Sequence, residues 1–145
     1  MAANVRAELS CFKSSSQLMA GVLVAISIPI FTSQLEKSRD AVSVANIRAA
    51  YAEATTEVLT WDGKSTTPTN ASVKSIAKNG TNTVVVVKDV AIKSQKKDSW
   101  SGLAAELPCT TKPTDEGEAG KADVTFTYDA SGASSSIAVG TITTA

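Results

Sequence analysis

The chain turns strongly apolar early. From residue 18 to residue 31 almost every position is hydrophobic, and residues 21–31 read GVLVAISIPIF. That run is shorter than the roughly 20 residues a membrane-spanning helix needs. Pro29 removes one helix hydrogen bond and predicts a kink, and Gly21 weakens the same stretch. The pattern then changes to a polar, strongly helical one over residues 32–60, with no Gly or Pro until Gly63. Thr32 or Ser33 suits a helix start, with Glu36 three residues after Ser33 as in a capping box. Glu36 and Arg39 stand at i,i+3 and can pair. Val44, Ile47, Tyr51, Ala54 and Val58 recur at helical spacing and predict one buried stripe. Ala41, Ala45, Ala49 and Ala52 form a second stripe of small residues. It reads either as a surface shown to something else or as ordinary helix-forming alanines.

After Trp61-Asp62-Gly63, a plausible helix stop, the period changes to that of strands. Residues 64–82 are rich in Ser, Thr, Asn, Pro and Gly and read as loop, with a short helix over residues 71–78. TVVVVKDVAI, residues 83–92, predicts a strand, and its continuous apolar start implies burial on both faces or a central place in a sheet. Residues 99–107 predict a short helix or an irregular crossing, and residues 108–121 a loop. DVTFTY (residues 123–128) and SSIAVG (residues 135–140) alternate as strands. DASGA joins them as a hairpin, with Gly132 free to take a positive φ. The expected fold is α+β: a long N-terminal helix, kinked at Pro29, packed on a small, mainly antiparallel sheet. Val44, Ile47, Tyr51 and Val58 are the expected helix–sheet contacts. Three parts follow: an N-terminal and hydrophobic half-helix (1–31), an amphipathic half-helix (32–61) and a sheet domain (62–145).

Charge narrows the function. Lys plus Arg and Asp plus Glu are each 14 in 145 residues. Residues 1–61 hold five of each sign and residues 62–145 hold nine of each. Neither part has the basic excess that attracts nucleic acid or an anionic membrane surface. Histidine is absent, which removes the commonest general base and zinc ligand. Cys11 and Cys109 fall in segments that read as separate units, so two unpaired thiols are expected. Cys109 has no His partner for thiol catalysis. Asp115, Glu116 and Glu118 read as a solvated acidic loop, with weak calcium binding as the less favoured alternative. Lys93, Lys96 and Lys97 read as a solvent-facing strand end, with contact to DNA as the less favoured alternative. Trp61 and Trp100 read as core or interface anchors. The expectation is a non-enzyme with no cofactor and no metal.

The segment IPIFTSQLEKSRDAVSVANIRAAYAEA (residues 28–54), with Gly21 ahead of it, resembles the N-terminal helix of type IV pilins and of type II secretion or competence pseudopilins. The likeness is specific over residues 21–59. Over the sheet domain only the helix-then-sheet order agrees. It implies a structural subunit that polymerises through its N-terminal helix into a surface filament. The implied assembly residues are Gly21, Val22, Leu23, Val24, Ile26, Ile28, Pro29, Ile30 and Phe31. The implied partners are copies of the same chain, a prepilin peptidase, an assembly ATPase and an inner-membrane platform. The implied location is the inner membrane before assembly and the bacterial cell surface after it. A pseudopilin, or a minor pilin acting as a ligand- or DNA-binding module, is the alternative. Upstream of Gly21 the chain departs from the family. By the spacing to Pro29, processing would fall between Ala7 and Glu8, without the family's preceding glycine. Phe12 would stand where the family has a glutamate, and the polar run of residues 13–17 where it is apolar.

Overall fold

The structure, a computed structural model, describes residues 2–144, with side chains from residue 31 onward. Helix α1 is Ala2–Thr60. Contacts divide the chain into two units, residues 1–35 and residues 36–145. The second unit is α+β. It holds the C-terminal part of α1 and one four-stranded antiparallel sheet of β1 (Val73–Asn79), β2 (Asn82–Ile92), β3 (Gly120–Tyr128) and β4 (Ser134–Val139). The strands follow one another in the order β1-β2-β3-β4. A 3-10 segment, Trp100–Glu106, lies within the long connection from β2 to β3.

The core forms where the apolar stripe of α1 meets the inner face of the sheet. Val44, Ile47, Ala50 and Ala54 are buried in one cluster with Val85, Val87, Val124, Phe126, Tyr128 and Ile137. Tyr51 and Val58 are partly buried and pack against the same cluster. The Tyr51 ring centroid lies 6.0 Å from that of Phe126 and 6.1 Å from that of Tyr128. The Tyr128 hydroxyl is 2.9 Å from Thr55 Oγ1, and burial pushes its pKa up to about 12. The continuous valines of β2 alternate in burial, so the strand owes its apolar character to a central place in the sheet.

Polar side chains of α1 fasten the connections as well. A chain leaving a β-ladder carries N–H groups that must find other acceptors. Glu36 Oε1 accepts from the amides of Gln95 (2.7 Å) and Lys96 (2.9 Å). Ser43 Oγ accepts from those of Lys93 (2.8 Å) and Ser94 (3.2 Å), and Asn46 Nδ2 donates to the Ala91 carbonyl at 2.9 Å. Near the other end, Glu57 accepts from the Thr69 amide (2.8 Å), the Thr69 hydroxyl (2.9 Å) and the Asn70 amide (3.0 Å). Both glutamates are buried. Burial alone would raise their pKa values. The amide donors outweigh it and hold both carboxyls below the ordinary range, helped by Arg39 at Glu36 and the Thr69 hydroxyl at Glu57.

Two expectations are corrected. Thr32 and Ser33 do not start a helix, because α1 is already helical there. With upstream residues supplying the turn, Glu36 serves the loop at residues 95–96 instead of a capping box, while still pairing with Arg39 at 3.3 Å. Residues 71–78 are not helical: Val73–Asn79 is β1. Val73 and Ile76, three apart, mimic a helical face. A bulge between Val73 and Ser75 brings both inward, since an extra residue shifts the side-chain alternation by one. β2 repeats the device between Val87 and Val90, with Asp89 at φ 57°. The hairpin at residues 129–133 forms as expected, with Gly132 at φ 85°. The Asp129 carboxylate accepts from the amides of Ser131 and Ala133.

Because Glu36 and Glu57 ionise at lower pH in the folded chain than in the unfolded one, their contribution is complete above pH 4.5. It disappears as pH falls through the folded values. Glu57→Gln should lower stability by about 1–3 kcal/mol at pH 7 and flatten the acid limb of stability against pH. Urea unfolding followed by tryptophan fluorescence at several pH values measures both.

Candidate functional site

The outer face of α1 in the second unit is apolar and open. Val42 is 45% exposed and Leu59 80%. Ala41, Ala45, Ala49 and Ala52 are all exposed. Val42, Ala45, Ala49, Ala52, Thr56 and Leu59 follow one another at alternating steps of three and four. That is the 3.5-residue repeat with which helices meet side by side. Small side chains there let a second helix approach to about 8–10 Å. Single exposed aliphatic residues are ordinary on protein surfaces; here five of the six seam positions are aliphatic, Thr56 being the exception. In the first unit Phe31 (69%) and Leu35 (40%) are also exposed. The expected assembly residues Gly21, Val22, Leu23, Val24, Ile26, Ile28, Pro29 and Ile30 lie outside the described side chains. So do the processing residues Ala7 and Glu8, and Cys11.

A second feature is a carboxylate centre where α1 meets the β2–β3 connection. Asp115 does not belong to a solvated acidic loop, as its sequence neighbours suggest. It is buried, and its carboxylate organises the surrounding turn. Oδ2 accepts from the amides of Asp98 (3.2 Å) and Trp100 (2.9 Å). Oδ1 accepts from the Gly117 amide (3.0 Å) and the Ser94 hydroxyl (3.2 Å). The turn it holds carries four successive left-handed residues: Ser99 at φ 60°, Trp100 at 58°, Ser101 at 51° and Gly102 at 78°. Such a run is costly for non-glycine residues. It seats the Trp100 ring in the core, with Nε1 donating to the Pro113 carbonyl at 3.1 Å. Asp98 Oδ1 accepts from the Ser101 amide (3.1 Å), and the Ser101 hydroxyl donates to Asp40 Oδ2 at 2.6 Å. Asp40, from α1, is fully buried. Burial pushes its carboxyl above the ordinary range against the pull of the Ser101 hydroxyl, and the neighbouring Asp98 carboxylate reinforces the rise. Asp40, Asp98 and Asp115 each bring one oxygen to within 4.8 Å of the others.

Nothing in the spacing of these three acids announces their meeting. The other polar groups stay apart. Lys93, Lys96 and Lys97 are exposed, and Lys97 pairs with Glu116 at 3.3 Å. Cys109 is a free thiol whose pKa burial pushes up, the opposite of what a nucleophile needs. Trp61 is half-buried against the core, with Nε1 donating to the Ser65 carbonyl at 2.6 Å. A shallow groove of about 590 Å³ runs past Asp89, Lys121, Asp123 and Thr125, where Lys74 bridges Asp123 at 2.6 Å. Among the described residues, no helix is long and apolar enough to cross a membrane. Compared with known proteins, the chain matches no family model, no curated protein and no solved structure.

The two faces of α1 should respond differently to substitution. Ile47→Ala, in the core, should lower stability by about 2–4 kcal/mol. Ala49→Glu, on the open face, should leave it within about 0.5 kcal/mol. Denaturant unfolding of the two variants measures the contrast.

Proposed function

We propose that the protein is a structural subunit of a type IV pilus-like filament, polymerising through its N-terminal helix. The observation that carries this reading is the open 3.5-residue seam of Val42, Ala45, Ala49, Ala52, Thr56 and Leu59, opposite the face that packs on the sheet. It continues the sequence likeness of residues 21–59 to pilins. The I-P-I-F segment ahead of it is too apolar to leave in water, and burying it among copies of itself at about 25 cal/mol per Å² supplies the driving force. The mechanism is assembly. The sheet domain faces outward and the helices pack side by side. A pseudopilus of a secretion or competence system would use the same seam. Peptidase, assembly ATPase and inner-membrane platform are the partners this reading requires.

Electron microscopy of material sheared from the surface of cells producing the full chain, labelled with antibody, tests the proposal. Labelled filaments are expected from the unaltered chain. Few or none are expected from Ala49→Glu, because an unpaired carboxylate in a dry helix contact costs several kcal/mol. Protein retained in the cell without filaments, or normal filaments from Ala49→Glu, contradicts it.

A further inference from the structure

We propose that Asp40, Asp98 and Asp115 form a binding site for a hard divalent cation, best fitted by calcium. The first observation is convergence. α1 supplies Asp40, the turn before the 3-10 segment supplies Asp98, and the loop before β3 supplies Asp115. One carboxylate oxygen from each lies within 4.8 Å of the other two. Oxygens at that separation can share one ion at the calcium distance of about 2.3–2.6 Å.

The second observation is independent of the clustering. Asp40 is fully buried, and its Oδ1 has no hydrogen-bond partner. Its Oδ2 already takes the Ser101 hydroxyl. A buried carboxylate oxygen without a donor is disfavoured, because its lost hydration is not replaced. A bound cation removes that penalty and offsets the repulsion among three acids.

Among the described residues, no ion pair reaches Asp40, Asp98 or Asp115. Among the described residues, the basic side chains that form ion pairs are engaged elsewhere: Arg39 with Glu36, Arg48 with Glu106, Lys74 with Asp123 and Lys97 with Glu116. The donors that reach the three acids are backbone amides and the hydroxyls of Ser94 and Ser101. The ligand set is all oxygen, which selects hard cations over zinc or copper. Calcium tolerates irregular geometry, whereas magnesium demands a near-ideal octahedron and keeps its waters. Three acids on three separate segments, two of them buried, suit the larger and more permissive ion. Binding would tie α1 to both halves of the β2–β3 connection. The site does not depend on assembly, so a monomer should bind as a filament does.

The test is calorimetric titration of the purified, EDTA-treated full chain in mild detergent with calcium chloride, alongside thermal melts with and without the ion. Expected is one saturable site with a dissociation constant of about 10⁻⁴–10⁻³ M. The melting temperature should rise by a few degrees at millimolar calcium, and the effect of magnesium should be weaker. Asp40→Asn should bind at least about tenfold more weakly, while melting in EDTA at or above the unaltered chain because it loses a buried charge. Asp98→Asn, at a half-exposed position, should also bind more weakly, and it serves if the Asp40 variant fails to fold. No saturable heat and no melting shift with the unaltered chain would overturn the proposal, and would mean that Asp40 is simply held protonated. Undiminished binding by a folded Asp40→Asn or Asp98→Asn chain would overturn it as well.

Discussion

One helix face must accept the N–H groups that the sheet leaves unpaired, and the rest of the second unit is arranged around that constraint. Glu36 and Glu57 stand 21 residues apart on α1, about 31 Å along its axis. Each is buried and each closes a different connection, Glu36 the exit from β2 and Glu57 the entry to β1. Between them Ser43 accepts two further amides, and Asn46 donates to the Ala91 carbonyl. Apolar contacts of Val44, Ile47 and Ala54 supply the burial energy, but they are non-directional. The amide-to-carboxylate bonds fix which part of the loop lies against which turn of the helix.

The periodic elements were legible in the sequence because their patterns are local. β2 and β3 announce themselves by valine content and alternation, and the Asp129–Ala133 hairpin by its glycine. β1 was not legible. Its bulge converts a two-residue alternation into a three-residue spacing, and Val73 and Ile76 then look helical. Glu36 was read as a partner for Ser33 because sequence offers only near neighbours. Its amide donors are 59 and 60 residues away. The same blindness hid Asp40, which looks like any charged helix residue until a turn 58 residues later folds over it. Asp115 stands in an acidic run, and its exposed neighbours Glu116 and Glu118 suggest the wrong surroundings for it.

Once the inner face of α1 is committed to the sheet and its loops, the outer face has no partner within the second unit. A solvent-facing helix face is ordinarily charged or polar. This chain has Val42, Ala45, Ala49, Ala52, Thr56 and Leu59 there. Under the proposed function the seam would meet other copies, and a cation bound by the three acids would tie α1 to the long connection. The two can fail separately, since no residue belongs to both.

The most direct measurement is the reactivity of single cysteines with a soluble maleimide, in a chain whose Cys11 and Cys109 are serine. Cysteine at Ala49 should label quickly in detergent-dispersed monomer and become protected by at least about tenfold in assembled material. Cysteine at Ser131, on the β3–β4 hairpin, should label equally in both. Equal labelling of both positions in assembled material would show that the helix seam is not where copies meet, and would contradict the account at its centre.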